Sequence, residues 1–132
     1  MLIFDGARFS KKALIAYCDN YVASMVKKNG FDTGNGTSQV QDKPVPVMLD
    51  YGWMSLTKDL SFDLKDGVIP REGRFSRQAV IDWLDLKAER AKGNYRFDFN
   101  NGWAQVEHAP VEKQLAYAQW HAAATLTEFL VE

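Results

Sequence analysis

Apolar residues recur at helical spacing in two stretches that have similar flanks. Each stretch follows a serine (Ser10 or Ser76), and each ends before a glycine (Gly30 or Gly93) that has a lysine one or two residues before it. Serine is a favoured N-cap, and basic residues followed by glycine mark a helix C-terminus. The pattern therefore predicts two amphipathic helices. Their apolar positions are Leu14, Tyr17, Tyr21 and Met25 in the first stretch, and Val80, Trp83, Leu84, Ala88 and Ala91 in the second.

A second pair of helices is predicted to start near Pro44 and Pro110, since proline suits the first helical turn. The spacing is regular after Pro110, whereas Pro46 and Gly52 interrupt the region after Pro44. The apolar positions are Leu49, Trp53, Leu56 and Leu60 in the first member of the pair, and Leu115, Ala118, Ala122, Leu126 and Phe129 in the second.

Between the helices of each pair, the sequence predicts a β-hairpin. Asn35-Gly36 and Asn101-Gly102 are dipeptides that favour a two-residue type I′ turn. This turn would pair Phe31 with Val40 and Asp32 with Gln39 in the first hairpin, and Phe97 with Val106 and Asp98 with Gln105 in the second. Tyr95, Phe97 and Phe99 would form an apolar strand face directed into the core. Short strands are also expected at residues 2–4 and 68–69.

The two halves of the chain resemble each other. RFSKKALIAYCDN (8–20) reappears as RFSRQAVIDWLDL (74–86), and an ungapped offset of 66 makes more than a quarter of the 66 aligned positions identical. Ordinary residue frequencies would give about 4 identities. The sequence therefore predicts an α+β fold of two tandem (β)-α-β-β-α units, residues 1–66 and 67–132. These units would pack with pseudo-twofold symmetry into one domain, 1–132.

Composition is that of a folded globular protein without a directing electrostatic field. Hydrophobic residues make up 46% of the chain and charged residues 25%, and the net charge is −1. The single cysteine, Cys18, excludes an internal disulfide and a multi-thiolate zinc site, and its apolar neighbours indicate a buried thiol. The chain shows neither a signal peptide nor a long apolar run, so a cytoplasmic location and no membrane contact are expected.

Motifs of catalysis, phosphate binding and metal binding are absent from the sequence, and no cofactor is expected. The two histidines, His108 and His121, lack an evident third ligand. The repeat does pair Asp32 with Asp98 and Asp19 with Asp85, and symmetry could bring either pair together. Two close carboxylates could perform acid–base chemistry, which leaves an enzyme with a site at the pseudo-dyad as one alternative.

Cations surround the first residues of two predicted helices, where they oppose the helix dipole. The residues are Arg8, Lys11, Lys12, Arg71, Arg74 and Arg77. One hypothesis is that they bind an anion or an acidic partner together with backbone N–H groups. The other is local ion pairing, for example with Asp5 and Glu72.

These observations favour a non-enzymatic cytoplasmic protein that regulates another protein by direct contact. Small inhibitors and immunity factors of bacteria, phages and mobile elements share this profile, and the many aromatic residues could anchor an interface. The alternative to a protein partner is a nucleic acid, bound through the two arginine clusters. The oligomeric state is left open.

Overall fold

The computed structural model describes residues 9–32, 36–70 and 72–130, and these residues form an all-helical fold. Four α-helices are present: α1 (Lys11–Asn29), α2 (Val45–Lys65), α3 (Arg77–Lys92) and α4 (Val111–Leu130). Two 3-10 segments, Gly36–Val40 and Phe99–Val106, connect α1 to α2 and α3 to α4. The described residues contain no strand, so the predicted α+β class with β-hairpins is wrong. Residues 68–69 are not a strand either, and residues 2–4 lie outside the described ranges.

The predicted N-caps of α1 and α3 are confirmed. Ser10 Oγ accepts a hydrogen bond of 3.0 Å from the Ala13 N–H, and Ser76 Oγ accepts one of 3.1 Å from the Ala79 N–H. Each bond satisfies a donor of the first turn that has no partner within its own helix. Gly30 ends α1 in the left-handed conformation, with φ of 70°. These ends are fixed by residues within one turn of the boundary, which explains why the sequence predicts them.

The predicted hairpin pairs Asp32–Gln39 and Asp98–Gln105 are in contact, but through the glutamine side chain. The carboxamide of Gln39 accepts from the Asp32 N–H at 2.9 Å and donates to the Asp32 carbonyl at 2.9 Å. It also donates to the Gly36 carbonyl at 2.8 Å. Gln105 makes the same three bonds, to Asp98 at 3.0 and 2.7 Å and to Gly102 at 2.7 Å. Each glutamine side chain thus makes the two backbone hydrogen bonds that a paired strand would make with the aspartate.

The Asn-Gly signal predicts the wrong turn for a definable reason. A type I′ turn requires positive φ at both central residues. Gly36 and Gly102 have φ of 70° and 60°, but no described residue other than glycine has a positive φ, and Asn101 is among those described. Both glycines have the positive φ that other residues rarely adopt, while the chain around them coils into a 3-10 turn. The glutamine bonds satisfy the backbone groups that a hairpin would have paired.

The helices pack in the order α1, α2, α4, α3, so α2 and α4 are central. All four contribute to one core, and most of its members are equivalent under the 66-residue offset. These equivalent pairs are Leu14 and Val80, Cys18 and Leu84, Leu56 and Ala122, Leu60 and Leu126, and Leu64 and Leu130. Burial of such side chains is the main stabilising contribution to a fold of this size. The two copies therefore supply matching parts of the same core.

Among the described residues, two contacts join a residue directly to its own counterpart in the other half. The rings of Phe9 and Phe75 stack with centroids 5.4 Å apart and an interplanar angle of 12°. Gly52 of α2 faces Ala118 of α4 so closely that a Cβ built on Gly52 would lie 2.3 Å from the Ala118 Cβ. Contacts between equivalent residues are expected where a twofold axis passes between two copies. The division into two repeats stays a prediction that superposition of the two halves would test.

Candidate functional site

Arg77, one of the predicted anion-binding residues, contacts the end of a neighbouring helix. Its Nη1 donates to the Leu130 carbonyl at 2.9 Å, and its guanidinium lies 4.6 Å from the centre of the Phe9 ring. Leu130 is the last residue of α4, where carbonyl groups lack partners within the helix and carry partial negative charge. Arg77 therefore stabilises the C-terminus of α4. This contact accounts for a cation at the N-terminus of α3, where it opposes the dipole of its own helix.

The other predicted cationic residues occupy different environments. Lys12 and Arg74 are exposed and Lys11 is half-buried. Arg74 lines a surface groove of about 430 Å³ together with Val68 and Trp83. Arg8 and Arg71 lie outside the described residues. Binding of an anion or a nucleic acid at these helix N-termini stays a prediction.

Of the four aspartates that the repeat pairs, Asp19 has a carboxylate bound by neighbours from its own copy. Asp19 accepts a hydrogen bond of 2.6 Å from Ser61 Oγ and forms an ion pair of 3.0 Å with Lys65 Nζ, and these two partners lower its pKa. Its counterpart Asp85 is exposed on α3. Asp32 and Asp98 are bound through their backbones by Gln39 and Gln105. Within the described ranges, no group of three or more His, Cys, Asp or Glu residues could hold a metal ion.

Cys18 is fully buried in the shared core, as its apolar neighbours predict. Burial, with a smaller contribution from Asp19 that outweighs the opposing effect of Lys65, raises the pKa of its thiol to about 12. The thiolate is the nucleophilic form of cysteine. At neutral pH the side chain is therefore a small apolar group in the core.

The second copy contains an aromatic cluster between the middle of α4 and the 3-10 segment that precedes this helix. Phe99 packs on Trp120 with centroids 4.6 Å apart and on His121 at 5.4 Å. Phe97 contacts both Tyr117 and Trp120 at 5.4 Å. Rings at these separations attract each other beyond the effect of buried area alone. The cluster therefore holds the 3-10 segment firmly against α4.

Three aromatic side chains in this region are exposed over about two fifths of their surface, and we call them the aromatic surface. Tyr95 is 38% exposed, Phe99 42% and Trp103 41%. The sequence-based expectation that Tyr95 and Phe99 point into the core is wrong, and Phe97 is half-buried. The periodicity of a strand suggested the core because it places all three residues of the stripe on one face.

Comparison of the two copies provides the signal that the periodicity missed. The residues equivalent to Tyr95, Phe99 and Trp103 in the first copy are Asn29, Thr33 and Thr37. The loop motif itself, Phe-Asp, Asn-Gly and Gln-Val at the same spacing, is identical in both copies. The motif does not require aromatic side chains at these three positions, so the motif by itself does not account for them in the second copy.

A cleft opens beside the aromatic surface, and we call it the His121 cleft. It has a volume of about 340 Å³ and lies between α1, α2, α4 and the second 3-10 segment. The residues that line it are Tyr21, Leu49, Asp50, Trp53, Gly102, Trp103, Tyr117 and His121. Desolvation lowers the pKa of His121, although Glu128 acts in the opposite direction. The imidazole is therefore neutral at physiological pH.

Acidification is expected to destabilise the protein through His121. The pKa of His121 is lower in the folded state than in the unfolded state. The stability that the neutral imidazole contributes to the fold is therefore fully present above about pH 6.5, and it is lost as the pH falls through the folded-state pKa. Each unit of pKa difference corresponds to about 1.4 kcal/mol. Urea titrations at pH 7.5 and 5.5 should show a smaller loss for His121→Gln than for the unmodified chain.

His108→Gln is the matched control, because His108 is exposed. It should keep the pH dependence of the unmodified chain. An unchanged pH dependence in His121→Gln would contradict the prediction.

Comparisons with known proteins do not identify a relative. No protein-family model, curated protein or solved structure matches this chain. None of the helices in the described part of the chain is long and apolar enough to cross a lipid bilayer.

Proposed function

We propose that the protein acts by binding another protein through the aromatic surface formed by Tyr95, Phe99 and Trp103. The observation that carries this proposal is the exposure of these three rings in the second copy, at positions where the first copy has asparagine and threonine. Tyrosine and tryptophan are enriched among the residues that contribute most to protein–protein affinity. A protein that binds in this way needs no chemistry of its own.

Rigidity of the surface supports the same function. Phe99 is held by Trp120 and His121, and the three hydrogen bonds of Gln105 fix the backbone of the segment that carries Trp103. Binding costs less free energy when the contact residues are already ordered. The aromatic surface is therefore preorganised for binding a partner.

The surroundings of the aromatic surface have the composition of an interface rim. Arg96, Asp98 and Glu107 are exposed next to it in the sequence, and Lys113 Nζ lies 5.5 Å from the Tyr95 ring centre. Interfaces commonly combine an aromatic centre with a polar, solvent-accessible rim. Both signs of charge are present, so the rim could pair with a partner of mixed charge.

Affinity capture with matched variants tests the proposal. The full chain and its Phe99→Ala and Trp103→Ala variants are immobilised and exposed to an extract of the native cell. A partner that binds the unmodified chain is then purified for affinity measurement. Each substitution should weaken binding about tenfold or more, because each removes an aromatic anchor. Trp103→Ala should change the free energy of unfolding by less than about 1 kcal/mol.

Phe62→Ala is the control, because Phe62 is a phenylalanine of α2 that is 63% exposed and lies in a different groove, with Asp19 and Lys65. This variant should bind the partner normally. Equal capture of every protein by the unmodified chain and the Phe99/Trp103 double variant would refute the proposal. So would a partner that depends on Phe62 instead.

A further inference from the structure

The His121 cleft combines aromatic walls with one carboxylate. Trp53, Trp103, Tyr21 and Tyr117 contribute rings, and Asp50 contributes the carboxylate. The faces of tryptophan and tyrosine rings carry partial negative charge and attract organic cations within about 6 Å. The proximity of Asp50 to Tyr21 is reflected in the pKa of the Tyr21 hydroxyl, which burial raises and the Asp50 charge raises further.

The carboxylate of Asp50 is paired with an exposed lysine through one of its two oxygens. It accepts bonds from Lys28 Nζ at 2.9 Å and Asn29 Nδ2 at 3.2 Å, and both end on the same oxygen, Oδ2. The Lys28 side chain is 62% exposed, whereas that of Asp50 is 25% exposed. Exposed ion pairs of this kind contribute little to stability, so Lys28 can move into solvent when another cation arrives.

We infer that the His121 cleft binds the guanidinium or ammonium group of a basic side chain on the protein partner. This inference rests on the proposed function, because Trp103 belongs to both the aromatic surface and the cleft wall. A partner that contacts Trp103 would also lie beside this cleft, because Trp103 lines it. A volume of about 340 Å³ is at the small end of the range for ligand pockets, which suits one long side chain.

The neutral imidazole of His121 is compatible with this ligand. His121 packs against Trp53 with centroids 6.1 Å apart and against Tyr117 at 5.7 Å. These contacts place the imidazole among the rings of the cleft. Since desolvation holds it in the uncharged form, it does not repel a cation at neutral pH.

The first experiment titrates N-acetyl-L-arginine amide into the full-length chain and follows the indole N–H signals of Trp53 and Trp103 by NMR. N-acetyl-L-citrulline amide is the control, because it has nearly the same shape without the charge. The arginine probe should shift both signals and bind about tenfold more tightly than the citrulline probe. Equal affinities, or arginine-induced shifts confined to Trp83 in the groove that contains Arg74, would overturn the inference.

Two substitutions with opposite expected effects sharpen the test. Asp50→Asn removes the carboxylate and should weaken binding of the arginine probe about fivefold or more, whereas Lys28→Gln removes the competing cation and should strengthen it about twofold. Asp19→Asn is the matched control, because Asp19 forms the same kind of lysine ion pair in another groove. It should leave binding unchanged, and indifference to Asp50→Asn would overturn the inference.

The outcomes separate this inference from the proposed function. A partner whose affinity falls with Trp103→Ala but not with Asp50→Asn would refute the cationic anchor and leave the aromatic surface as the binding site. Specific binding of the arginine probe without any partner dependent on Phe99 and Trp103 would refute the proposed function and keep the cleft as a cation site. If Trp103→Ala and Asp50→Asn each lower the affinity for the partner, the result supports the aromatic surface as the binding site and the cleft as the cation site.

Discussion

Gly52→Ala is expected to destabilise the protein by about 2 kcal/mol or more, although alanine is the better helix former. The added Cβ would lie 2.3 Å from the Ala118 Cβ, which is too close for any two carbon atoms that are not bonded. Since α2 and α4 are the central pair, the helices would have to separate along the shared core. Urea unfolding at pH 7.5 measures the loss directly.

The reciprocal substitution provides the control. Ala118→Gly in the Gly52→Ala background exchanges the two equivalent residues and restores one methyl group at the crossing. Most of the lost stability should return, apart from the cost of glycine in α4, about 1 kcal/mol. A Gly52→Ala variant as stable as the unmodified chain would show that the central helices can separate freely. Failure of the exchange to rescue would show that Ala118 is not the clashing neighbour.

Gln105→Glu is expected to cost about 2 kcal/mol and to weaken partner binding as well. The substitution keeps the size of the side chain but replaces the amide donor with an oxygen. That oxygen would face the carbonyls of Asp98 and Gly102, each of which lies 2.7 Å from Gln105 Nε2 in the unmodified chain. Both carbonyls would lose their donor and be repelled, so the segment carrying Trp103 would loosen. Urea unfolding and partner affinity report the two effects.

The first copy supplies the matched control. Gln39→Glu removes the equivalent amide donor, which bonds the carbonyls of Asp32 and Gly36, and should cost a similar free energy of unfolding. Its segment carries threonine instead of tryptophan at the equivalent position, Thr37, so partner affinity should be retained. Equal loss of affinity in both variants would contradict a binding role specific to the second copy.

The comparison of the two copies also separates residues needed for folding from residues available for function. Identical positions include the serine caps, the Phe-Asp, Asn-Gly and Gln-Val motif, and the core leucines Leu64 and Leu130. All of these serve helix ends, the 3-10 turns or the core. Tyr95, Phe99 and Trp103 differ from their counterparts and are exposed. Divergence combined with exposure is the physical reason for assigning the binding role to them.

The sequence by itself determined the features that depend on short stretches of chain. Ser10 and Ser76 cap helices because their hydroxyls reach an N–H group three residues away. The helical period predicted which side chains enter the core, including Leu14 and Val80. The repeat indicated which residues of the two halves to compare, and the comparison holds whatever structure they adopt.

Only the tertiary structure decided between a hairpin and a 3-10 turn. Asn-Gly favours a residue with positive φ, but a hairpin also needs two strands that pair through their backbones. Here the side chains of Gln39 and Gln105 make those bonds instead. Exposure of Phe99 and Trp103 likewise depends on how their 3-10 segment packs against α4, as in the contact of Phe99 with Trp120. The His121 cleft, which combines residues of three helices and a 3-10 segment, exists only once those contacts have formed.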